Sequence, residues 1–377
     1  MEERNRLLEV AGVMFRLGSM AFGGPAVHIA MLEEEVVTKR KWISREHFLD
    51  LVGATNLIPG PNSTQMTMHC GKERAGNWGL LVGGISFIFP AVLITGVIAW
   101  LYFKYSQLPQ FEPFIYGIKP AVLILIGSAV VKLGRKALKS WELGVLGSLV
   151  FISSIMGLNE IIALLGAGFL GFAYFSIKNN RSNLTSSFFF PLLLSKTSFT
   201  LFAQITNLNV FWTFLKIALV LYGSGYVLFA YLDAELVEKG WLTRQQLLDA
   251  IAVGQFTPGP ILSTATFIGY QLTGFWGAVL ATVGLFMPSF ILVMLLNPLV
   301  PKMRKSKSFG YLLDSINIAA VAVIAAVLFM MGREILLDWR SITIAVVSIV
   351  ATLIWKKINT MWLVLGGSVL GYLLLLI

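Results

Sequence analysis

Cysteine and histidine are the residues that this sequence has least of, and their scarcity excludes several kinds of site. The single cysteine, Cys70, forms no disulfide within the chain and builds no cysteine metal cluster. Three histidines, His28, His47 and His69, argue against a catalytic zinc site. We therefore expect no metal, no other cofactor and no redox chemistry, and we do not expect an enzyme.

Charged residues are also scarce. They make up 13% of the 377 residues, and hydrophobic residues make up 56%, whereas soluble domains carry roughly 25% charged residues. The mean hydropathy is +0.78. Several apolar runs reach the roughly 20 residues that a helix needs to cross a bilayer, and no alternating strand pattern competes with them. The predicted fold class is an all-α integral membrane protein.

The net charge of +10 fits basic cytoplasmic loops. No basic segment is interleaved with aromatic residues, so we expect no nucleic-acid partner. Residues 1–16 mix acidic and basic side chains and lack the positive start, apolar centre and small-residue cleavage site of a signal peptide. We therefore expect the first helix, residues 7–31 with an interruption at 22–25, to stay in the mature protein.

Two Pro-Gly-Pro tripeptides, at 59–61 and 258–260, interrupt apolar sequence. Proline removes a backbone donor and glycine packs nothing, so such a break persists in an apolar setting only where it lines a cavity or is buried in protein. A short apolar stretch leads into each break and another leads out. At about 1.5 Å per residue neither stretch crosses a bilayer alone, so each break predicts the tip of a re-entrant hairpin.

The second break belongs to a second copy of the first half. Glycines, prolines and acids of the two halves align at a nearly constant spacing, which indicates a duplication. The aligned residues are 22–25 with 222–225, Glu33 and Glu35 with Asp233 and Glu235, Arg45 and Asp50 with Arg244 and Asp249, 59–61 with 258–260, and Ser63 and Thr64 with Ser263 and Thr264.

We interpret each half as about five transmembrane helices plus one re-entrant Pro-Gly-Pro hairpin. Because five is odd, a second copy in tandem enters the membrane from the opposite face, so the halves are predicted to be inverted-topology repeats. Lysines and arginines favour the same arrangement, because the loops that it places in the cytoplasm are basic. The predicted domains are an N-terminal repeat at 1–178, a cytoplasmic linker at 179–210 and the inverted repeat at 211–377.

Inverted repeats with broken helices are the build of secondary transporters, in which substrate binds near the middle of the membrane. The helices that follow the two breaks offer unpaired N–H groups and the positive end of a helix dipole, which suit an oxyanion. The side chains predicted to bind substrate add hydroxyl, amide or ammonium donors: Asn62, Ser63, Thr64, Gln65, Ser263, Thr264 and Lys119.

A recognisable pattern is formed by residues 22–25 (Phe-Gly-Gly-Pro), the loop at 33–42, Asp50, residues 59–65 and the matching residues of the second half. In this pattern the sequence resembles the chromate transporter (CHR) family in its fused two-domain form. The resemblance covers essentially the whole chain and is weakest in the linker. It implies efflux of chromate across a bacterial cell (inner) membrane, driven by the proton motive force, with sulfate as the competing analogue. The motif positions that it carries over are Gly23, Gly24, Pro25, Pro59, Gly60, Pro61, Gly223, Gly225, Pro258, Gly259 and Pro260, and Ser224 departs from the pattern.

These features also have structural interpretations. The Pro-Gly-Pro pairs can be kinks alone, and the glycines near residues 23 and 223 can be helix contacts. Lys119 either attracts substrate or reaches from a helix end to the interface. The acids around the hairpins are either proton carriers or partners in caps and ion pairs. They are Glu33, Glu35, Asp50, Asp233, Glu235 and Asp249.

Other functions use the same residues. A channel-like oxyanion pore, or a transporter of sulfate or another oxyanion, presents the same donors. A membrane enzyme that acts on lipid phosphates can also use hairpins that carry acids and arginines. The expected partners are a chromate or sulfate-like oxyanion, protons and the lipid bilayer, and a homodimer is left open.

Overall fold

The computed structural model of the chain describes residues 2–22, 24–105, 112–179, 205–222, 225–296, 307–355 and 360–376. Every regular element in these ranges is helical, as predicted. Half one contains α1 (Glu2–Met20), α2 (Pro25–Glu33, continued by a π-helical turn, Glu34–Lys39), α3 (Arg45–Thr55), α4 (Asn62–Tyr105), α5 (Glu112–Ala137), α6 (Trp141–Ile155) and α7 (Glu160–Asn179). Half two contains α8 (Asn207–Val220), α9 (Val227–Leu232, continued by a π-helical turn, Asp233–Val237), α10 (Arg244–Phe256), a 3₁₀ turn (Ile261–Ser263), α11 (Thr264–Leu296), α12 (Lys307–Ile335), α13 (Trp339–Ile354) and α14 (Thr360–Leu375). Residues 180–204 of the predicted linker lie outside the described ranges, as do Gly23 and Gly223.

The chain reverses direction between α1 and α2. Arg16 near the end of α1 pairs with Glu35 at 2.6 Å, and Glu9 near its start accepts a hydrogen bond from Arg40 at 3.0 Å. The segment that follows α1 therefore runs back along α1 in the opposite direction. We predicted one interrupted helix over 7–31, and the structure differs because these ion pairs fold the second part back. Half one thus begins with a helical hairpin.

A second hairpin follows, with the predicted Pro-Gly-Pro break at its tip. His47 at the start of α3 lies 3.4 Å from Glu73 on α4, so the two arms have their bases at the same end. The eleven residues of α3 rise only about 16 Å. The hairpin closes at Ala75 and Gly76, whose backbone leaves the helical conformation before α4 continues as a long span.

Half two repeats this construction, including its ion pairs. Arg45 Nε lies 3.1 Å from Glu33 Oε1 in half one, and Arg244 Nε lies 3.1 Å from Asp233 Oδ1 in half two. The kink that closes the second hairpin recurs at Thr273 and Gly274 in α11. The clusters around the next acid also match, with Glu35 beside Arg16 and Lys39, and Glu235 beside Lys216 and Lys239.

Equivalent helices of the two halves run antiparallel, which confirms the predicted inverted repeats. On α5 and α12, Leu123 lies beside Gly332, and Gly134 lies beside Val321. The residue numbers rise along one helix as they fall along the other. The halves also interlock, because α5 packs against α13 and α14 while α12 packs against α6 and α7.

The outer surface of the long helices is apolar. On α4, Ile85, Phe89, Leu93 and Val97 follow one another every four residues and are all exposed. Such a stripe is stable against lipid chains and would be a liability in water. By length and composition, five helices in the described ranges can cross a membrane: Asn62–Tyr105, Pro113–Ala137, Glu160–Lys178, Ile261–Leu295 and Gly310–Ile335. The chain is a multi-pass membrane protein.

Candidate functional site

The tips of the hairpins meet across the two halves. The chain breaks after α1, α3, α8 and α10, and we call these positions the four breaks. The N–H of Gly60 donates to the carbonyl oxygen of Leu221 at 2.6 Å, and the N–H of Gly259 donates to that of Ala21 at 2.8 Å. Each Pro-Gly-Pro tip is therefore bonded to the first break of the other half. The pair of bonds follows the pseudo-two-fold relation of the repeats.

Only glycine suits the centre of each tip. Gly60 has φ +120° and Gly259 has φ +93°, conformations that residues with a side chain rarely adopt. A Cβ at Gly60 would lie 2.4 Å from Ser289 Oγ, and one at Gly259 would lie 2.9 Å from the Cβ of Ala91. The tips are thus both bent and closely packed against the long helices of the opposite half.

The four breaks enclose a small cavity. Its lining residues are Pro25, His28, Pro61, Ser63, Gly225, Pro260, Ile261 and Leu262. The Nδ1 atom of His28 lies 3.3 Å from the hydroxyl oxygen of Ser63. The cavity volume is about 10 Å³, which is room for about one water molecule. A tetrahedral oxyanion is larger, so it requires the tips to move apart.

The helix that starts at this cavity presents backbone donors to it. The first helical hydrogen bond of α4 runs from Gln65 N to Pro61 O at 2.9 Å. The N–H groups of Asn62, Ser63 and Thr64 precede that bond, and they carry the partial positive charge of the helix end. The start of α4 is therefore suited to a negatively charged group.

Most of the other predicted residues on this helix hold the tip together. Asn62 donates to Asn56 at 2.7 Å, which ties the two arms of the hairpin. Gln65 donates to the carbonyl oxygen of Pro59 at 2.7 Å. Thr64 is fully buried and does not line the cavity. Among the side chains predicted to bind substrate, Ser63 is the one placed at the cavity.

The corresponding hydroxyls of half two lie elsewhere. Ser263 bonds to Thr95 at 3.1 Å, and Thr264 donates to the carbonyl oxygen of Ile261 at 2.7 Å. The hydroxyl groups differ in position because the outgoing arm of the second hairpin begins with a 3₁₀ turn. This turn winds the backbone more tightly, so that Leu262, and not Ser263, faces the cavity. The two halves therefore contribute different chemistry to the cavity.

The break positions named by sequence lie around the cavity or behind it. Pro25, Pro61, Gly225 and Pro260 line it. Gly24 packs close to the hydroxyl group of Tyr226 in the other half. Pro59 and Pro258 are buried in the tips.

Lys119 pairs with an acid of the other half. Its Nζ lies 3.8 Å from Asp249 Oδ1, and Tyr102 donates to the second carboxylate oxygen at 2.7 Å. Asp249 is 7% exposed, whereas its counterpart Asp50 is exposed. This three-residue cluster joins α4 and α5 of half one to α10 of half two.

The remaining predicted acids form ion pairs at the bases of the hairpins. Glu33 pairs with Arg45, and Asp233 pairs with Arg244. Glu35 is 5% exposed and Glu235 is 3% exposed, and each is surrounded by basic side chains. None of these acids lines the cavity.

Sequence reasoning missed His28 and Tyr102. Each looks unremarkable alone, since one is a histidine in an apolar helix and the other a tyrosine near a helix end. For His28, a usable signal is its position three residues after Pro25, one helical turn from a break. Tyr102 had no such signal, because its partner lies 147 residues away in the chain.

Comparison with known proteins adds independent information. The family model described as "Chromate transporter" matches residues 8–172 and 208–372. The "Chromate transport protein" of Cupriavidus metallidurans is 25% identical over 97% of this chain and 92% of its own length. That of Pseudomonas aeruginosa is 27% identical over 95% and 90%, and the "Probable chromate transport protein" of Synechococcus elongatus is 29% identical over 93% and 90%. No solved structure matches the chain. Two matches of one family model, one to each half of an inverted-repeat membrane protein, place this chain in the chromate transporter family.

Proposed function

We propose that this protein exports chromate from the bacterial cytoplasm across the inner membrane and binds it between the four breaks. The observation that carries the proposal is the cavity where these breaks meet, with Ser63 and His28 on its wall and the start of α4 beside it. Backbone N–H groups and a hydroxyl group converging at a helix N-terminus are the donors that a tetrahedral dianion requires.

Transport requires the cavity to open to each side in turn. The two tip bonds, Gly60 to Leu221 and Gly259 to Ala21, both join one half to the other. Rocking of the hairpins of one half against those of the other would strain one bond and relax the other, and this exposes the site alternately. Sulfate has the shape and charge of chromate, so it is the expected competitor.

The proton motive force supplies the energy in this proposal. An inside-negative potential favours outward movement of a dianion by about 2.3 kcal/mol for each charge per 100 mV. Proton antiport would add to this. The six acids predicted as carriers are its candidates, and Asp249 is distinctive because it is buried beside Lys119 between the halves.

The test is uptake of chromate into inverted proteoliposomes with an imposed potential and pH gradient. Wild-type protein is expected to accumulate chromate, with competition by sulfate. Ser63→Ala removes the hydroxyl group at the cavity and should reduce uptake at low chromate. Ser263→Ala is the matched control, because its hydroxyl group bonds to Thr95 away from the cavity. Equal uptake by Ser63→Ala and wild type refutes the site, and flux that persists without coupling to protons favours a channel.

A further inference from the structure

The polar wall of the cavity comes from half one alone. His28 lies on α2, one turn after Pro25, and Ser63 lies in the first turn of α4. In half two, Leu228 aligns with His28. When the two Pro-Gly-Pro tripeptides are aligned without a gap, Leu262 takes the position of Ser63. Both leucines are buried and apolar. The cavity is thus asymmetric, with donors on one side and apolar groups on the other.

His28 is fixed in this position by its neighbours. Its side chain is 4% exposed, its ring meets the edge of Phe87 with centroids 5.7 Å apart, and its Nδ1 lies 3.3 Å from Ser63 Oγ. Among the residues that line the cavity, it is the one with an ionisable side chain. An anion that contacts Ser63 in this cavity also contacts the imidazole.

We propose that His28 is a direct ligand of the transported oxyanion and that its protonation sets how tightly the anion is held. The inference rests on the transport site proposed above. An imidazolium donates a charge-assisted hydrogen bond to the dianion, whereas a neutral imidazole offers a weaker one. Proton binding and anion binding therefore strengthen each other, as linkage requires. A proton taken up with the anion travels in the same direction, so antiport needs a different carrier.

Other titratable groups lie on the elements packed around α2. They are Glu3, Arg4, Arg6, Glu9 and Arg16 on α1, Glu33, Glu34, Glu35 and Lys39 on α2 and its π-helical turn, His69, Cys70, Lys72, Glu73, Arg74, Tyr102, Lys104 and Tyr105 on α4, and Tyr226 before α9. Several of the charged members pair with one another, Glu9 with Arg74 and Arg16 with Glu35 among them. None of these groups lines the cavity, so the anion meets His28 first.

The experiment measures inhibition of chromate uptake by sulfate between about pH 5.5 and 8, the range in which histidine changes charge. Sulfate stays a dianion in this range, but chromate takes up a proton within it, so the inhibition constant is calculated with the KM for chromate measured at each pH. A change that remains comes from the protein. For wild type the constant should rise as pH increases. His28→Gln should remove this pH dependence and raise the constant about 10- to 100-fold at low pH, the loss of one charge-assisted hydrogen bond. His47→Gln is the control, because His47 is exposed at the hairpin base.

A second measurement does not depend on any variant. Purified wild-type protein in weakly buffered detergent at about neutral pH should take up protons when sulfate is added, because binding shifts His28 toward its charged form. No proton uptake on sulfate binding, or a wild-type pH profile in His28→Gln, overturns the role of His28. If wild-type protein carries no chromate at all, the transport proposal itself fails, and the two failures are distinguishable.

Discussion

Gly60→Ala is the substitution that most directly tests the packing of the hairpin tips. Alanine at φ +120° is strained by about 1–3 kcal/mol. Its methyl group would lie 2.4 Å from Ser289 Oγ and 2.7 Å from Gln65 Nε2, and overpacking of this kind adds about 1–3 kcal/mol. The shift of the tip also weakens the Gly60 hydrogen bond to Leu221, which contributes about 1 kcal/mol. The variant should lose about 3–7 kcal/mol of stability, the sum of these three terms.

Gly76→Ala is the matched control for this prediction. Gly76 also has a positive φ, +64°, but a methyl group there meets no atom within 4 Å. Its cost is the backbone term alone, about 1–3 kcal/mol. Thermal unfolding in detergent, followed by tryptophan fluorescence, compares the two variants, and chromate uptake measures function. Gly60→Ala should unfold at the lower temperature and lose uptake. Equal unfolding temperatures would refute the close packing of the tip.

Two further predictions concern the join between the halves. Asp249→Asn leaves the charge of Lys119 without its carboxylate in a buried setting, so uptake should fall at least tenfold. Asp314→Asn is the control and should stay within about twofold of wild type, because its pair with Lys139 is more exposed; equal losses would contradict the special role of the buried pair. In a background without the native cysteine, Lys178→Cys and Asn207→Cys should react with an impermeant thiol reagent from opposite sides of the membrane, and labelling from one side would contradict the inverted arrangement.

The labelling prediction follows from how the helices cross. After its two hairpins, half one crosses with the second part of α4, α5, α6 and α7, so α7 ends on the side where the hairpins have their bases. Lys178 indeed pairs with Glu142 at the start of α6, at 2.5 Å. Because half two is inverted, α8 starts on the other side. Lys178 and Asn207 therefore lie on opposite sides of the membrane.

Local sequence determines the breaks but not their direction. Pro-Gly-Pro marks a tip wherever it lies in apolar sequence, because proline and glycine act on the backbone itself. The reversal after α1 depends instead on ion pairs such as Arg16 with Glu35 and Glu9 with Arg40, which lie 19 and 31 residues apart. Pairs at that separation carry no periodic signal, so the first hairpin looked like a single interrupted helix.

The site was predictable in outline and not in its residues. The family motif and the repeat led to the tips and to Ser63. Alignment of identical residues in the two repeats also predicted Ser263, but a 3₁₀ turn there changes which side chain faces the cavity. His28 and the cluster of Lys119 with Asp249 emerge only when distant helices are brought together. Sequence thus identified the elements of the site, and tertiary packing selected the side chains.

The most direct measurement of the central claim, that the oxyanion is held between the four breaks, is substrate protection of a single cysteine. Ser63→Cys and Ser263→Cys are each made in a background in which Cys70 is serine, and the rate of alkylation by a small maleimide is measured in membranes with and without sulfate. The account predicts that sulfate slows modification at residue 63 several-fold and leaves the rate at residue 263 unchanged. Equal rates at residue 63 with and without sulfate, or equal protection at both positions, would contradict it.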